Sequence, residues 1–183
     1  MSISQILHDK FMSAMVGRDD DNKFLNIDVL HQKVHEGKML FTSHVFLAVA
    51  NGVTVYVRHT CGSTKYLHSQ VDVRTVGQWT FTSYAGTTYS VAGTIIPILN
   101  RKSDSAYVPE TVFRHTPTIN VLGTPRLSFT FGTGTNPAQV NTGTFNDRLE
   151  SLFAPNTDVL IGLKNESGAP QYLSIQFDFY EDI

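Results

Sequence analysis

The chain has 183 residues, of which 16% are charged and 41% hydrophobic, and its formal net charge is −2. This length fits one domain, or one domain with an arm, and is sufficient to bury a core. Without a basic excess we expect no nucleic-acid partner and no binding to anionic lipid. The apolar runs are well short of the ~20 residues that cross a bilayer, and the N-terminus has no signal-peptide pattern. We therefore predict no membrane partner. A single cysteine, Cys61, excludes an intrachain disulfide and a Cys-rich metal site.

Residues 1–23 are predicted to form an N-terminal arm. Apolar side chains recur at close to helical spacing from Ile3 to Val16, which predicts a short amphipathic helix. Gly17 and the run of three aspartates after Arg18 predict a loop or linker over residues 17–23. The apolar side chains that we predict to contact a partner are Ile6, Leu7, Phe11 and Met15.

Residues 24–183 are predicted to form one all-β domain. Apolar and polar residues alternate with a period of two in several short runs, which is typical of half-buried antiparallel strands. The clearest run is at the C-terminal end, where Leu173, Ile175, Phe177 and Phe179 alternate with polar residues. Similar runs contain Val53, Val55 and Val57; Val71 and Val73; Trp79 and Phe81; and Leu127, Phe129 and Phe131. About eight to ten such strands predict an antiparallel β-sandwich, specifically a jelly roll with a short N-terminal helical arm.

Turn residues separate these runs. Asn51-Gly52 joins two β-rich segments and predicts a type I′ hairpin, because both residue types tolerate positive φ. Glycine-rich segments near Gly62, Gly86, Gly132 and Gly168 predict further turns between strands. No helical stretch within residues 24–183 is long enough to suggest a parallel βαβ sheet.

The residues that could bind a metal or act in catalysis do not have the spacing in the sequence that such sites require. His31 and His35 fall in sequence that we interpret as β, where they would share one face of a strand without further ligands, and His44 is near in sequence. Cys61 lies in a turn without a nearby base, so we interpret it as a free thiol. The carboxylates Asp178, Glu181 and Asp182 read as a solvated chain end. We therefore predict a protein that is not an enzyme, with no catalytic residue, cofactor or metal.

The predicted outward strand faces are rich in threonine and poor in charge. Tyr56, Tyr84 and Tyr89 are predicted on these faces as well. A surface of this kind can be buried against a partner without leaving unpaired charges. The composition therefore favours a homo-oligomer.

Three segments of the sequence, in this order along the chain, carry a resemblance to a known family. They are Ile27–Gly37 leading into Phe41–His44, then Ile98–Arg101 followed by Thr111–His115, and finally Tyr172–Glu181. Over about residues 17–183 they resemble a family of small virion proteins of tailed bacteriophages. In that family the β domain begins with a strand carrying an H-x-x-x-H-x-G type segment and ends with an aromatic and acidic strand.

The resemblance implies a capsid decoration, or cement, protein: a jelly-roll homotrimer on the outer surface of the virion capsid, bound to the major capsid protein after synthesis in the host cytoplasm. It implies no catalytic residues. The alternative is a tail, fibre or receptor-binding module that binds carbohydrate, although Trp79 alternates with Phe81 and is expected in the core. A metal-dependent cupin-like enzyme is a third class, disfavoured because clustered His and Glu ligands are lacking.

Overall fold

The structure, a computed structural model, describes residues 17–18, 24–25, 29–132 and 150–182. It contains one short helix, α1 (Val29–His35), and otherwise strands. The first strands are β1 (Gly17–Arg18), β2 (Phe24–Leu25), β3 (Leu40–Val49), β4 (Thr54–Thr60), β5 (Tyr66–Thr75), β6 (Trp79–Ala85), β7 (Thr88–Val91) and β8 (Thr94–Ile95). They are followed by β9 (Ile98–Asn100), β10 (Val112–His115), β11 (Thr118–Val121), β12 (Thr124–Phe131), β13 (Ser151–Phe153), β14 (Asp158–Asn165) and β15 (Gln171–Asp182).

Two large antiparallel sheets pack face to face. One has the strand order β13-β5-β15-β3-β9 and the other the order β12-β6-β14-β4-β10-β8. Eight strands form the jelly roll, and they pair first with last along the chain: β3 with β15, β4 with β14, β5 with β13, and β6 with β12. The predicted all-β sandwich with jelly-roll pairing is therefore confirmed.

The core lies between the two sheets and follows the predicted alternation. Leu173, Ile175, Phe177 and Phe179 all point inward from β15 and are fully or almost fully buried. Trp79 is also buried, as predicted, and its indole nitrogen donates to the Val76 carbonyl oxygen at 3.1 Å. We call the two packed sheets the body. Aromatic and branched side chains from both sheets interdigitate here, so the body buries its apolar surface within one chain.

The strand pair β6–β12 continues beyond the body as a two-stranded ribbon. Its outer part consists of β7 and β11, which pair with each other, and its far end rejoins the six-stranded sheet as the pair β8–β10. We call residues 86–95 and 116–123 the ribbon. It is an insertion between the fourth and fifth jelly-roll strands.

Two predictions of local structure were wrong. His31 and His35 lie on α1 and not on a strand, so the β domain does not begin with a strand at this segment. Gly17 and Arg18, predicted in a linker, pair with Phe24–Leu25 as a short antiparallel strand. The reason for the first error is the length of α1: over seven residues, the spacing of apolar side chains does not distinguish a helix from a strand.

The turn at Asn51-Gly52 also differs from the prediction. It connects β3 to β4, which lie in opposite sheets, so it is an inter-sheet connection and not a hairpin. Gly52 has φ of +79°, whereas Asn51 is not among the described non-glycine residues with positive φ. The Val53 amide donates to the Ala50 carbonyl oxygen at 3.1 Å. Positive φ at the second central residue only is the pattern of a type II turn, which suits a chain that changes sheets.

Within the described part of the chain, no helix has the length and apolar character needed to span a membrane.

Candidate functional site

The ribbon is bent at two places where only glycine fits. Gly123 has φ of +68°, and a Cβ atom there would lie 2.5 Å from the Ala85 carbonyl oxygen. Gly93 has φ of +92°, and its Cβ atom would lie 2.5 Å from the His115 carbonyl oxygen. Glycine adopts positive φ without strain and has no side chain to clash with the facing backbone. These two positions let one continuous strand pair leave the sheet and return to it.

The inner side of the ribbon covers the outer face of the six-stranded sheet. Tyr89 of β7 lies over Arg58 of β4, with 4.0 Å between the guanidinium carbon and the ring centroid. Arg58 also donates three hydrogen bonds to the Asp158 carboxylate, two from Nε and one from Nη2, the shortest at 2.7 Å. Leu160 points to this same outer face and is completely buried. Burial and the nearby Asp158 carboxylate raise the pKa of Tyr89, so the phenol stays neutral and the stack on Arg58 persists.

The two other tyrosines predicted on outward faces also lie there. Tyr56 and Tyr84 flank Gly162, where an added Cβ atom would approach their rings to 3.1 and 3.3 Å. Both side chains are half-buried and not freely exposed. Burial raises the pKa of Tyr56. The outward tyrosines therefore pack within this chain and do not form an open platform for a sugar ring.

The outer side of the ribbon, opposite Tyr89, presents aliphatic side chains to solvent. Val91 and Val121 lie there and are 57% and 61% exposed. Ile95, where the ribbon rejoins the sheet, is 58% exposed. Residues 86–95 and 116–123 contain no Asp, Glu, Lys or Arg, and six of these 18 residues are threonine or serine. An uncharged surface with exposed aliphatics can be covered by another protein without desolvating a charge. This is the strongest candidate interaction surface in the described residues.

The segment between β9 and β10 is fixed by a buried carboxylate. Glu181 is 4% exposed, and its oxygens accept hydrogen bonds from the Thr111 amide at 2.7 Å, the Glu110 amide at 3.0 Å and the Tyr107 hydroxyl at 2.8 Å. Burial and this hydrogen bond raise the pKa of Tyr107. The prediction of a solvated end was therefore wrong for Glu181, which holds the segment between β9 and β10 against the last strand.

The neighbouring carboxylates are engaged in ion pairs. Asp178 pairs with Arg101, and Asp182 accepts a hydrogen bond from Lys33 of α1 at 3.1 Å. The Lys33 ammonium also lies 5.2 Å from the centroid of the Tyr180 ring. These contacts fasten α1 and the end of β9 to the outer face of the five-stranded sheet, which is a structural role.

Four of the histidines occur as two separate pairs. His31 and His35 lie one turn apart on α1, with 2.9 Å between their Nε2 atoms. His44 of β3 stacks on His115 of β10 with 3.8 Å between ring centroids, and this stack joins the two sheets. Burial and the neighbouring His115 lower the pKa of His44. In the described ranges no group of three or more His, Cys, Asp or Glu is arranged to hold a metal ion.

Cys61 is a buried free thiol, as predicted. Burial raises the pKa of Cys61 to about 11. Because the thiolate is the reactive form, this side chain is a poor nucleophile near neutral pH.

The predicted partner-contact residues Ile6, Leu7, Phe11 and Met15 lie outside the described residues. Sequence analysis missed the ribbon, although one signal was present: residues 86–100 and 116–125 contain no charged side chain. It also missed Glu181 as a buried group, although the period of two that places Phe177 and Phe179 inward places Glu181 inward as well.

Comparisons with protein families, with curated proteins and with solved structures found no match to this chain.

Proposed function

We propose that the protein is a structural virion protein that decorates the outer surface of a tailed-phage capsid as a homotrimer and reinforces capsomer junctions. The observation that carries an assembly role is the uncharged ribbon, whose exposed valine and isoleucine side chains have no cover within the described chain. The capsid as the partner rests on the resemblance of the three sequence segments to decoration proteins. Localisation on the virion follows from the same resemblance.

In this proposal the ribbon and the arm have different partners. The ribbon contacts copies of the same chain, because in a closed three-fold ring every subunit makes the same contact and no ribbon stays uncovered. The arm contacts the major capsid protein through Ile6, Leu7, Phe11 and Met15. Three arms on one trimer then bind three capsid sites together, and weak contacts add through effective concentration.

We propose no catalytic activity. Cys61 is buried with a raised pKa, and Asp178, Glu181 and Asp182 are engaged in contacts that fasten neighbouring segments. This arrangement supports a structural role for the reactive side chains that the sequence contains.

Cryo-electron microscopy of the particle that carries this chain tests the capsid assignment. The expected result is density for a three-fold cluster of jelly rolls on the outer capsid surface. Density confined to the tail or its fibres would contradict the decoration role and favour the fibre alternative. Light scattering of the purified chain tests the trimer separately: a mass of three times 20.3 kDa is expected, and a monomer at micromolar concentration would contradict it.

A further inference from the structure

A cavity of about 220 Å³ opens between the two sheets on the side opposite β9 and β8. Its walls come from the inner faces of β4, β5, β6 and β14, and from the edge strands β12 and β13. The apolar lining is Val71, Phe81, Leu127, Phe153, Val159 and Ile161. An apolar cavity of about 150 Å³ is large enough to bind benzene, so this one has room for a substituted ring.

The deep part of the cavity contains polar groups without partners. His59 and Ser69 line it and are each 2% exposed. Neither ring nitrogen of His59, nor the Ser69 hydroxyl, has a hydrogen-bond partner among the described residues. Burial lowers the pKa of His59 to about 4, so near neutral pH the ring offers one N–H donor and one acceptor nitrogen. Buried polar groups in proteins normally form hydrogen bonds. A ligand group that both donates and accepts a hydrogen bond would satisfy these three atoms.

The mouth of the cavity carries a positive charge. Arg126 lines it from the edge strand β12, at a register shift between Pro125 and Leu127 where that strand bulges against β6. Bulges change the direction of a side chain and are frequent next to binding sites. Arg58, Arg74 and Arg101 are each paired with an aspartate, whereas Arg126 has no ion pair within the part of the chain that the structure describes.

We propose that this cavity binds a small aromatic carboxylate that also carries a hydroxyl group. The ring lies against Phe81, Phe153 and the aliphatic wall, and the hydroxyl group exchanges hydrogen bonds with His59 and Ser69. The carboxylate reaches Arg126 at the mouth, where a guanidinium group binds it through two parallel hydrogen bonds. The deep end of the cavity is neutral and its mouth is cationic, so the ligand binds with its hydroxyl group inside and its carboxylate at the mouth. In the opposite orientation the carboxylate would be buried beside an apolar wall. The site is separate from the ribbon and does not depend on the proposed capsid role.

Protein-observed NMR of the full chain tests the proposal with 4-hydroxybenzoate, benzoate and phenol as probes. 4-Hydroxybenzoate is expected to shift the His59 ring signals saturably and to bind more tightly than either benzoate or phenol, since each of these lacks one of its two polar groups. The variant Arg126→Gln is expected to bind 4-hydroxybenzoate about tenfold more weakly or worse, because a charge-assisted pair is lost. Its affinity for phenol should be unchanged.

Arg74→Gln is the matched control, because Arg74 is an exposed arginine on the outer face of the other sheet. It should bind all three probes like the wild type. Ser69→Ala should weaken 4-hydroxybenzoate and leave benzoate unchanged. The proposal is overturned if no probe gives a saturable shift up to about 10 mM, far weaker than a built site would bind. It is also overturned if Arg126→Gln and Arg74→Gln bind 4-hydroxybenzoate equally.

Discussion

In the body of the molecule the large apolar side chains are buried against one another, whereas in the ribbon several remain in contact with solvent. Phe177 and Phe179 on β15 are almost fully buried, but Val91 and Val121 on the ribbon are more than half exposed. Both regions are built from antiparallel strands. The difference is that the body has a second sheet to cover its apolar face and the outer side of the ribbon has none.

This comparison separates two kinds of free energy. Burial in the body stabilises the single chain, because it removes apolar area from water on folding. Burial of the outer side of the ribbon can only occur on association, so it contributes to assembly and not to folding of the monomer. Substitutions in the two regions should therefore act on different measurements.

The largest effect is expected in the body. Phe177 is 1% exposed and packs on Phe113 with 4.8 Å between ring centroids. Phe177→Ala should lower the free energy of unfolding by about 3–5 kcal/mol, through lost burial and the cavity left behind. Gln176→Ala, on the opposite face of the same strand, should cost within about 0.5 kcal/mol. Denaturant melts check both, and equal losses would contradict the assignment of faces.

The next effect concerns acid. His59 is fully buried with its pKa lowered to about 4, whereas the unfolded chain takes up that proton near the ordinary value of about 6.5. The neutral ring therefore stabilises the fold above pH 6.5, and this contribution is lost as the pH falls toward 4, by roughly 3 kcal/mol in all. His59→Gln should flatten the loss of unfolding free energy between these pH values. Denaturant melts at several pH values measure it, and an equally steep loss in the variant would contradict the assignment.

A smaller effect on folding, but a large one on assembly, is expected in the ribbon. Val91→Asp places a charge on the proposed subunit contact and should shift the mass measured by light scattering from trimer toward monomer. Val29→Asp, on α1, is a matched control, since Val29 is 56% exposed and Val91 is 57% exposed. In both variants the folding free energy of the dissociated subunit should stay within about 0.5 kcal/mol of the wild type, as for other surface substitutions. Val29→Asp should in addition keep the stabilisation that association supplies. A Val91→Asp variant that stays trimeric would show that the ribbon is not the contact.

The sequence supports prediction where one strong period extends over many residues. The run Leu173, Ile175, Phe177 and Phe179 predicts β15 and its inward face, because a slip of one residue would turn all four apolar side chains to the other face. The same reasoning predicted the burial of Trp79. The segment Val29–His35 was misread because it is short and two spacings fit it equally well.

The candidate site was harder to predict because it depends on pairing between distant segments. The ribbon exists because residues 86–95 meet residues 116–123 and then return to the sheet, with bends at Gly93 and Gly123. The glycines are visible in the sequence, but their facing backbone atoms are not. The cavity beside His59 is a further case, since its volume is set by how two edge strands diverge and by no local pattern of residues.

The arm provides the sharpest separation of assembly from folding. Of the residues before α1, the structure describes Gly17–Arg18 and Phe24–Leu25, and these pair only with each other and with neither large sheet. Deleting Met1–Asn22 should therefore leave the protein trimeric, with the mass of three shortened chains, and the melting temperature within about 2 °C of the wild type. The same deletion should sharply reduce the occupancy of this protein on undecorated capsids, measured by quantitative gel analysis of purified particles.

The physical reason is that burial of Ile6, Leu7, Phe11 and Met15 against the capsid would contribute several kcal/mol per subunit, at about 25 cal/mol per Å² and before the cost of ordering the arm. Undiminished occupancy would refute the anchoring role of the arm, whereas loss of folding would show that the arm belongs to the body.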